Sequence, residues 1–256
     1  MIDARAIVSS EAQLAPDVSV GPFSVIGAGV VIGARTVVAP HVVINGPTTI
    51  GADNRILQFA SLGDAPQDKK YQGEPTRLQI GDRNIFRENC TANRGTTHDQ
   101  GVTRIGSDNL FMAYSHVAHD CNVGSNTVFA NCAALGGHVD VGDWVILGGL
   151  TAVHQYTKIG AHAFLAGGAI VTRDVPPYVM VAGNPAAPHA VNSEGLKRRG
   201  FSDGQIRNIR AAYRVLYRSD LKLAEALARL EPQAVEHPEV RAFVDFIHAS
   251  TRSIVR

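Results

Sequence analysis

Four of the ten histidines, His116, His119, His138 and His154, fall inside one 39-residue stretch. A neutral imidazole is a natural general base near neutral pH, because its ordinary pKa is about 6.5. His119 is followed by Asp120, and a carboxylate beside an imidazole fixes its tautomer and stabilises the cation formed when it takes a proton. Neighbours along a strand point to opposite faces, so Asp120 reaches His119 directly only if the chain turns a corner there. Gly137 offers a backbone N–H with no side chain around it, which suits a developing oxyanion. Together these groups point to proton abstraction coupled to attack on a carbonyl.

Zinc is the rival use for such histidines. A catalytic zinc takes three protein ligands at about 2.1 Å and keeps one position open. His116-x-x-His119 supplies no third ligand by spacing alone, so no metal is expected. Cys121 is close to His119 in sequence but falls at a small, inward position of the repeat described below, where a thiol is a packing group. No glycine-rich loop of the P-loop or dinucleotide type is present. A phosphate would be met by side chains, for which Lys197-Arg198-Arg199 is the local candidate; its bland alternative is the solvated start of a helix.

The elements that hold these residues follow from a period of six. From Val8 to Leu62 and again from Ile105 to Val171, every sixth residue is aliphatic or Phe. Those 22 positions all hold Val, Ile, Leu or Phe, types that fill 69 of 256 residues, so chance gives a probability on the order of 10⁻¹². Gly commonly follows the aliphatic residue, as at Gly106, Gly124 and Gly142, and a small or β-branched residue stands four after it, as at Ser115, Cys121 and Thr127. Six fits neither a helix nor a long strand; it fits a short strand and a corner. Three such units make an 18-residue triangular coil, and residues 18 apart stack at roughly 4.8 Å. His119, Gly137 and Gln155 then form one column, Asp120, His138 and Tyr156 the next, and Ala118, Gly136 and His154 the one before.

Two interruptions, Gly63–Gln79 and Asn93–Arg104, break the register and are expected to project as loops from one edge. After Val171 the pattern ends in Asp174-Val175-Pro176-Pro177 and Gly183-Asn184-Pro185. Residues 1–184 are therefore read as a parallel β-helix and 185–256 as a small helical domain. In the latter, Ser202 with Gln205 forms a capping box, Leu221–Leu230 is a second helix, and Pro238 opens a third with Val240, Phe243, Val244 and Ile247 along one side.

Composition closes off other classes. With 45% hydrophobic and 18% charged residues the chain is globular. No apolar run reaches the roughly eighteen residues of a membrane span, and Met1-Ile2-Asp3-Ala4-Arg5 lacks the layout of a signal peptide. Three cysteines form no closed disulfide set. A soluble, reduced, cytoplasmic protein is expected. Residues 196–256 hold 12 Lys/Arg against 7 Asp/Glu, a net of +5 on a body of −4. This suits an acidic partner, though not nucleic acid, for which the density is too low.

Three segments resemble one family. Ser115-His116-Val117-Ala118-His119-Asp120-Cys121, Gln67-Asp68-x-Lys70-Tyr71-x-Gly73-Glu74-Pro75-Thr76, and Asn192-x-Glu194-Gly195-Leu196-Lys197-Arg198-Arg199-Gly200-Phe201 are similar to the UDP-N-acetylglucosamine O-acyltransferases, hexapeptide-repeat enzymes of lipid A synthesis. The likeness spans the whole chain. It implies a left-handed helix of coils, a homotrimer with sites between subunits, and no cofactor beyond the phosphopantetheine arm of acyl carrier protein. It implies transfer of an (R)-3-hydroxyacyl group to the 3-hydroxyl of UDP-N-acetylglucosamine, with His119 as base, Asp120 as its partner and the Gly137 N–H as oxyanion donor. By the same likeness Asp68, Lys70, His116, His138, Gln155, Asn192, Glu194, Arg198 and Arg199 contact substrate, with His154 on the same rim, and Gly167 aligns with the residue that measures acyl length. His116 favours the ordinary sugar over its 3-amino analogue as acceptor, by resemblance only. Two rivals stay open. One is the related N-acyltransferase two steps later, which usually carries an N-terminal uridine-binding domain where the hexads here begin by Val8. The other is a non-catalytic β-helix that binds a partner through its tail.

Overall fold

A six-residue unit with one inward aliphatic side chain buries that residue only if the chain keeps turning in the same sense. The computed structural model, which describes residues 1–256, shows how it turns. Three sheets of nine, eight and ten strands, parallel except for the last pair of the ten-stranded one, form a prism. Face I starts at Ile7–Val8, face II at Gln13–Leu14 and face III at Ser19–Val20. The expected 18-residue register is present: Val117 pairs with Leu135, and Leu135 with Val153. At most corners the third residue after the inward aliphatic takes left-handed backbone, as at Asp120 (φ 58°), His138 (φ 61°) and Tyr156 (φ 62°). Such a conformation costs on the order of 1–3 kcal/mol for a residue other than glycine. It is offset by amide bonds between coils: the His138 N–H donates to the His119 carbonyl at 3.0 Å, and that of Tyr156 to Gly137 at 3.0 Å.

The core is a column of hexad aliphatics widened by an aromatic ladder on face III. Phe86, Phe111 and Phe129 are fully buried; Phe86 stacks on Phe111 at 4.6 Å, and Phe129 meets Phe111 at 4.8 Å with the rings tilted by 38°. The small inward residues have a second use, since several bond a carbonyl of the adjoining coil, as Ser24 Oγ does to Ala39 at 2.7 Å.

Both insertions leave corner I/II, but they are shorter than the sequence pattern implied. Strands Ser61–Asp64 and Arg77–Ile80 flank the first, and Thr91–Asn93 and Val102–Ile105 the second. The loops proper are 65–76 and 94–101, because polar residues at their bases still pair in the sheets. Ile50 pairs with Ile80 and Ile80 with Ile105, steps of 30 and 25 that hold twelve and seven residues beyond eighteen.

The division at 184/185 also moves. Val179–Ala182 pairs in parallel with Phe164–Leu165 and antiparallel with Ala187–Val191, so Gly183-Asn184-Pro185 is a hairpin turn inside the sheet. The helices begin later: α1 Ser193–Arg198, α2 Asp203–Tyr217, α3 Leu223–Glu236 and α4 Pro238–His248. The α2 capping box and the buried stripe of α4 are as expected. Helix α1 was missed, and α3 runs beyond Leu230 through Pro232. None of these helices is long and apolar enough to cross a membrane.

The helices are tied to corner II/III. There Trp144, His162 and Tyr178 stack in successive coils, Phe201 meets the His162 ring edge-on at 5.1 Å, and the Arg199 guanidinium lies over Trp144 at 5.1 Å. Burial, with Arg199 adding to it, pushes the His162 pKa down to about 4.

Two measurements follow. Phe111→Ala removes the middle of the ladder and should cost about 3–5 kcal/mol in denaturant unfolding; a loss below about 1 kcal/mol would contradict this packing. For His162, the unfolded chain binds a proton near pH 6.5 and the folded one only near 4, so stability must fall as pH drops through that window. His162→Phe should flatten the decline measured by urea unfolding at a series of pH values; an unchanged slope would place the titrating group elsewhere.

Candidate active site

A corner does fall at Asp120, and it brings the carboxylate back onto the neighbouring ring: His119 Nδ1 lies 2.9 Å from Asp120 Oδ2. The carboxylate is otherwise held from behind. The Thr96 N–H donates to it at 2.8 Å and the Thr96 hydroxyl at 2.7 Å, while the Asp120 N–H donates to Thr103 Oγ1 at 2.8 Å. Burial alone would raise the Asp120 pKa; the hydrogen bonds from His119 and Thr96 outweigh it and hold the group below its ordinary value, hence ionised. With the carboxylate on Nδ1, the lone pair of a neutral His119 sits on Nε2.

Gly137 stands one coil above His119, and it is required there. A Cβ at 137 would lie 2.5 Å from His119 Cε1 and 2.7 Å from Nε2, so any larger residue displaces the ring. The Gly137 N–H has no acceptor within the chain.

The imidazole opens into a cleft of about 440 Å³ at corner I/II, lined by Asp68, Lys70, His119, His138, Gln155 and Tyr156 among others. Five of the residues read from the sequence thus converge: Asp68 and Lys70 from the first loop, His119, His138 and Gln155 from successive coils. His138 stacks on Tyr156 at 4.3 Å, and its Nδ1 lies 2.8 Å from Asp99 Oδ2. His116 is on face I with its Nδ1 2.7 Å from Thr91 Oγ1, and burial lowers its pKa, which keeps it neutral.

Other expected residues lie elsewhere. His154 does not line the cleft; its Nδ1 lies 3.1 Å from the Gln155 carbonyl and 3.3 Å from the Arg252 guanidinium of the C-terminal segment. Asn192, Glu194 and Arg198 line a separate hollow on face III beside Ile146, Phe164 and Met180. Asn192 caps α1, accepting from the Gly195 N–H at 3.2 Å. Arg199 does not join Arg198; it packs on Trp144 and His162, where burial lowers its pKa. Gly167 is at corner III/I, against the Gly149 backbone.

Three residues that the sequence pattern does not single out bond to this group: Thr96 and Thr103, which seat Asp120, and Asp99, which reaches His138 from 39 residues away. The hexad phase did hold a signal for the corner, because Gly29, Asp53, Asn89, Asp108 and Asn126 share Asp120's place three after the aliphatic, and these types tolerate left-handed backbone.

His119, Asp120 and His138 offer ligand atoms within 4.8 Å of one another, the one such cluster in the chain. Those atoms are already paired, with Asp120 bonded to His119 and Thr96 and His138 to Asp99. Cys121 is fully buried with its thiol pKa pushed up to about 12, so it is no nucleophile at neutral pH. The groups suited to act are an oriented imidazole, a free amide and the lysines of the first loop.

The repeat defines the class: the family described as "Bacterial transferase hexapeptide (six repeats)" matches residues 11–46 and 103–137. A second description, "Udp N-acetylglucosamine O-acyltransferase; Domain 2", matches residues 174–255, the last strands and helices. Over 255 residues the chain is 56% identical to the acyl-[acyl-carrier-protein]–UDP-N-acetylglucosamine O-acyltransferase of Thiobacillus denitrificans, covering 100% of this chain and 99% of that one. The solved UDP-N-acetylglucosamine acyltransferase of Francisella novicida superposes with a TM-score of 0.98 at 43% identity, covering 100% of this chain and 94% of that one. The UDP-N-acetylglucosamine O-acyltransferase of Moraxella catarrhalis gives 0.98 at 44%, covering 100% and 99%. The chain belongs to the UDP-N-acetylglucosamine O-acyltransferase family, and its prism is a left-handed parallel β-helix.

Proposed function

We propose that this protein transfers an (R)-3-hydroxyacyl group from acyl carrier protein to the 3-hydroxyl of UDP-N-acetylglucosamine, the first step of lipid A synthesis, with His119 as general base. The observation that carries the base assignment is the His119–Asp120 pair, whose remaining ring nitrogen faces a cleft lined by Lys70. His119 Nε2 takes the proton from the sugar hydroxyl as its oxygen bonds to the thioester carbon. The negative charge on the carbonyl oxygen falls to the Gly137 N–H. The carbon–sulfur bond then breaks, and the departing thiolate takes up the proton held by His119, which returns the imidazole to its neutral form. The thioester is already electrophilic, so this route needs neither metal nor redox cofactor.

The distribution of the other residues supports a homotrimer. Within one chain the His119 cleft is at corner I/II, the Asn192–Glu194–Arg198 hollow on face III and Gly167 at corner III/I. One bound nucleotide sugar with its acyl donor would meet all three only if corner I/II of one copy abuts face III and corner III/I of another. Three copies around an axis satisfy this with equivalent contacts. A diphosphate suits Lys70 and Arg198. Acyl carrier proteins are acidic, and Arg207, Arg210, Arg214 and Arg218 recur along α2, with Arg210 and Arg214 beside a hollow at His189 and Ser193. A carrier-protein substrate fits a cytoplasmic enzyme.

Acyl transfer from hydroxyacyl carrier proteins of several lengths to UDP-N-acetylglucosamine tests the reading. His119→Ala should lower the rate by roughly 10²–10⁴; full activity in the variant would remove His119 from the mechanism. In the same assay Gly167→Met should shift preference to shorter donors, because each methylene excluded from an apolar groove is worth about 1 kcal/mol. Unchanged chain selectivity would mean that Gly167 is not the ruler.

A further inference from the structure

Loop 94–101 does more than fill space beside the site. It leaves the coil below Asp120 and climbs corner I/II: Thr96 bonds the carboxylate one coil up, and Asp99 bonds His138 one coil higher. We propose that Asp99 is a positioning residue, which acts through His138 to decide which edge of that imidazole faces the Asp120–His119 pair.

The argument is geometric. The plane of the His138 ring is set by Tyr156, on which it lies flat at 4.3 Å with 5° between the planes. Stacking fixes a plane but not a direction within it. A half-turn about the Cβ–Cγ bond leaves the ring stacked while exchanging Nδ1 with Cδ2 and Nε2 with Cε1. In the orientation present, Nδ1 is 2.8 Å from Asp99 Oδ2, and Nε2 is 3.8 Å from Asp120 Oδ2. The half-turn would set a carbon against Asp99 and a carbon toward Asp120. His119 does not make the choice, since it meets His138 edge-on at 5.1 Å with no hydrogen bond between the rings. The Asp99 carboxylate is the one group bonded to His138 Nδ1, and the ring it directs is about nine-tenths buried. Because a carboxylate accepts but does not donate, it also requires a proton on Nδ1.

The consequence for catalysis rests on the function proposed above; the orienting role does not. His138 lines the same cleft as His119, so its polar edge belongs to the surface that meets substrate. Losing that edge should act like the loss of an orienting partner behind a working histidine, an effect of about 10–100-fold elsewhere.

The test uses the full-length protein with Asp99→Ala and Asp99→Asn, read two ways. Nitrogen-resolved NMR of the histidine rings, with His138→Gln to assign the signals, should show a protonated, hydrogen-bonded Nδ1 at His138 in wild type. That signature should be lost in Asp99→Ala and largely restored in Asp99→Asn, whose side-chain oxygen still accepts. The acyl-transfer assay should show kcat/KM falling about 10–100-fold in Asp99→Ala, recovering in Asp99→Asn, with the thermal midpoint unchanged. A wild-type His138 signal that survives Asp99→Ala overturns the proposal, as does a kcat/KM within twofold of wild type. If wild type shows no acyl transfer at all, the function assigned above is at fault, and the NMR comparison by itself decides the orienting role.

Discussion

Most corners of this protein turn through a residue in left-handed backbone, and the rest of the structure is arranged around that turn. A residue there projects away from the core and is free of its packing demands, while its amide is tied to the neighbouring coil. The three corners have therefore acquired different chemistry. Corner II/III carries Asp and Arg in exposed ion pairs, Arg35 with Asp53 and Arg83 with Asp108, and then the aromatic stack that receives the helices. Corner III/I carries exposed Phe59, Tyr114 and Leu150 and the glycines around 167. Corner I/II carries both loops, His119 and His138.

Stacking converts this division into a site. Because the coils repeat at eighteen residues, Gly137 must sit over His119 and Tyr156 over His138. The same rule that makes room for one imidazole supplies a flat support for the other. The turn at Asp120 then does what a straight strand cannot, folding a carboxylate back on its sequence neighbour. Thr96 holds that carboxylate through its N–H and hydroxyl, and Thr103 holds the Asp120 amide. His119 is thus set on rigid repeats while a loop holds its carboxylate partner, an arrangement that keeps a precise pair on the scaffold and leaves the adaptable loops at the rim.

The fold and much of the site were legible in the sequence because the period is independent of side-chain detail. The aliphatic ladder gave the sheets, the register and the columns, and the columns placed His119, Gly137, His138 and Gln155 on one edge. Failures cluster where the period stops. The ends of the loops were misjudged because polar residues such as Arg77 and Arg104 still pair in the sheets. The helical domain was begun too early because Gly183-Asn184-Pro185 breaks a strand as readily as it ends a domain. Arg199 reads as a phosphate ligand in a run of three cations, yet one of the three has an aromatic wall to lie against.

By itself, then, the sequence determined the prism, its eighteen-residue register and the identity of the groups able to take a proton. Local alternation and repetition are properties of one strand and its successor, which the order of residues states outright. Only the tertiary structure decided that Asp120 lies at a corner and touches His119, that Thr96 and Asp99 reach back to it and to His138, and that His154, Arg199 and Gly167 stand apart from them in one chain. Those relations depend on side-chain direction and on loops that cross between coils, and no spacing along the chain encodes either.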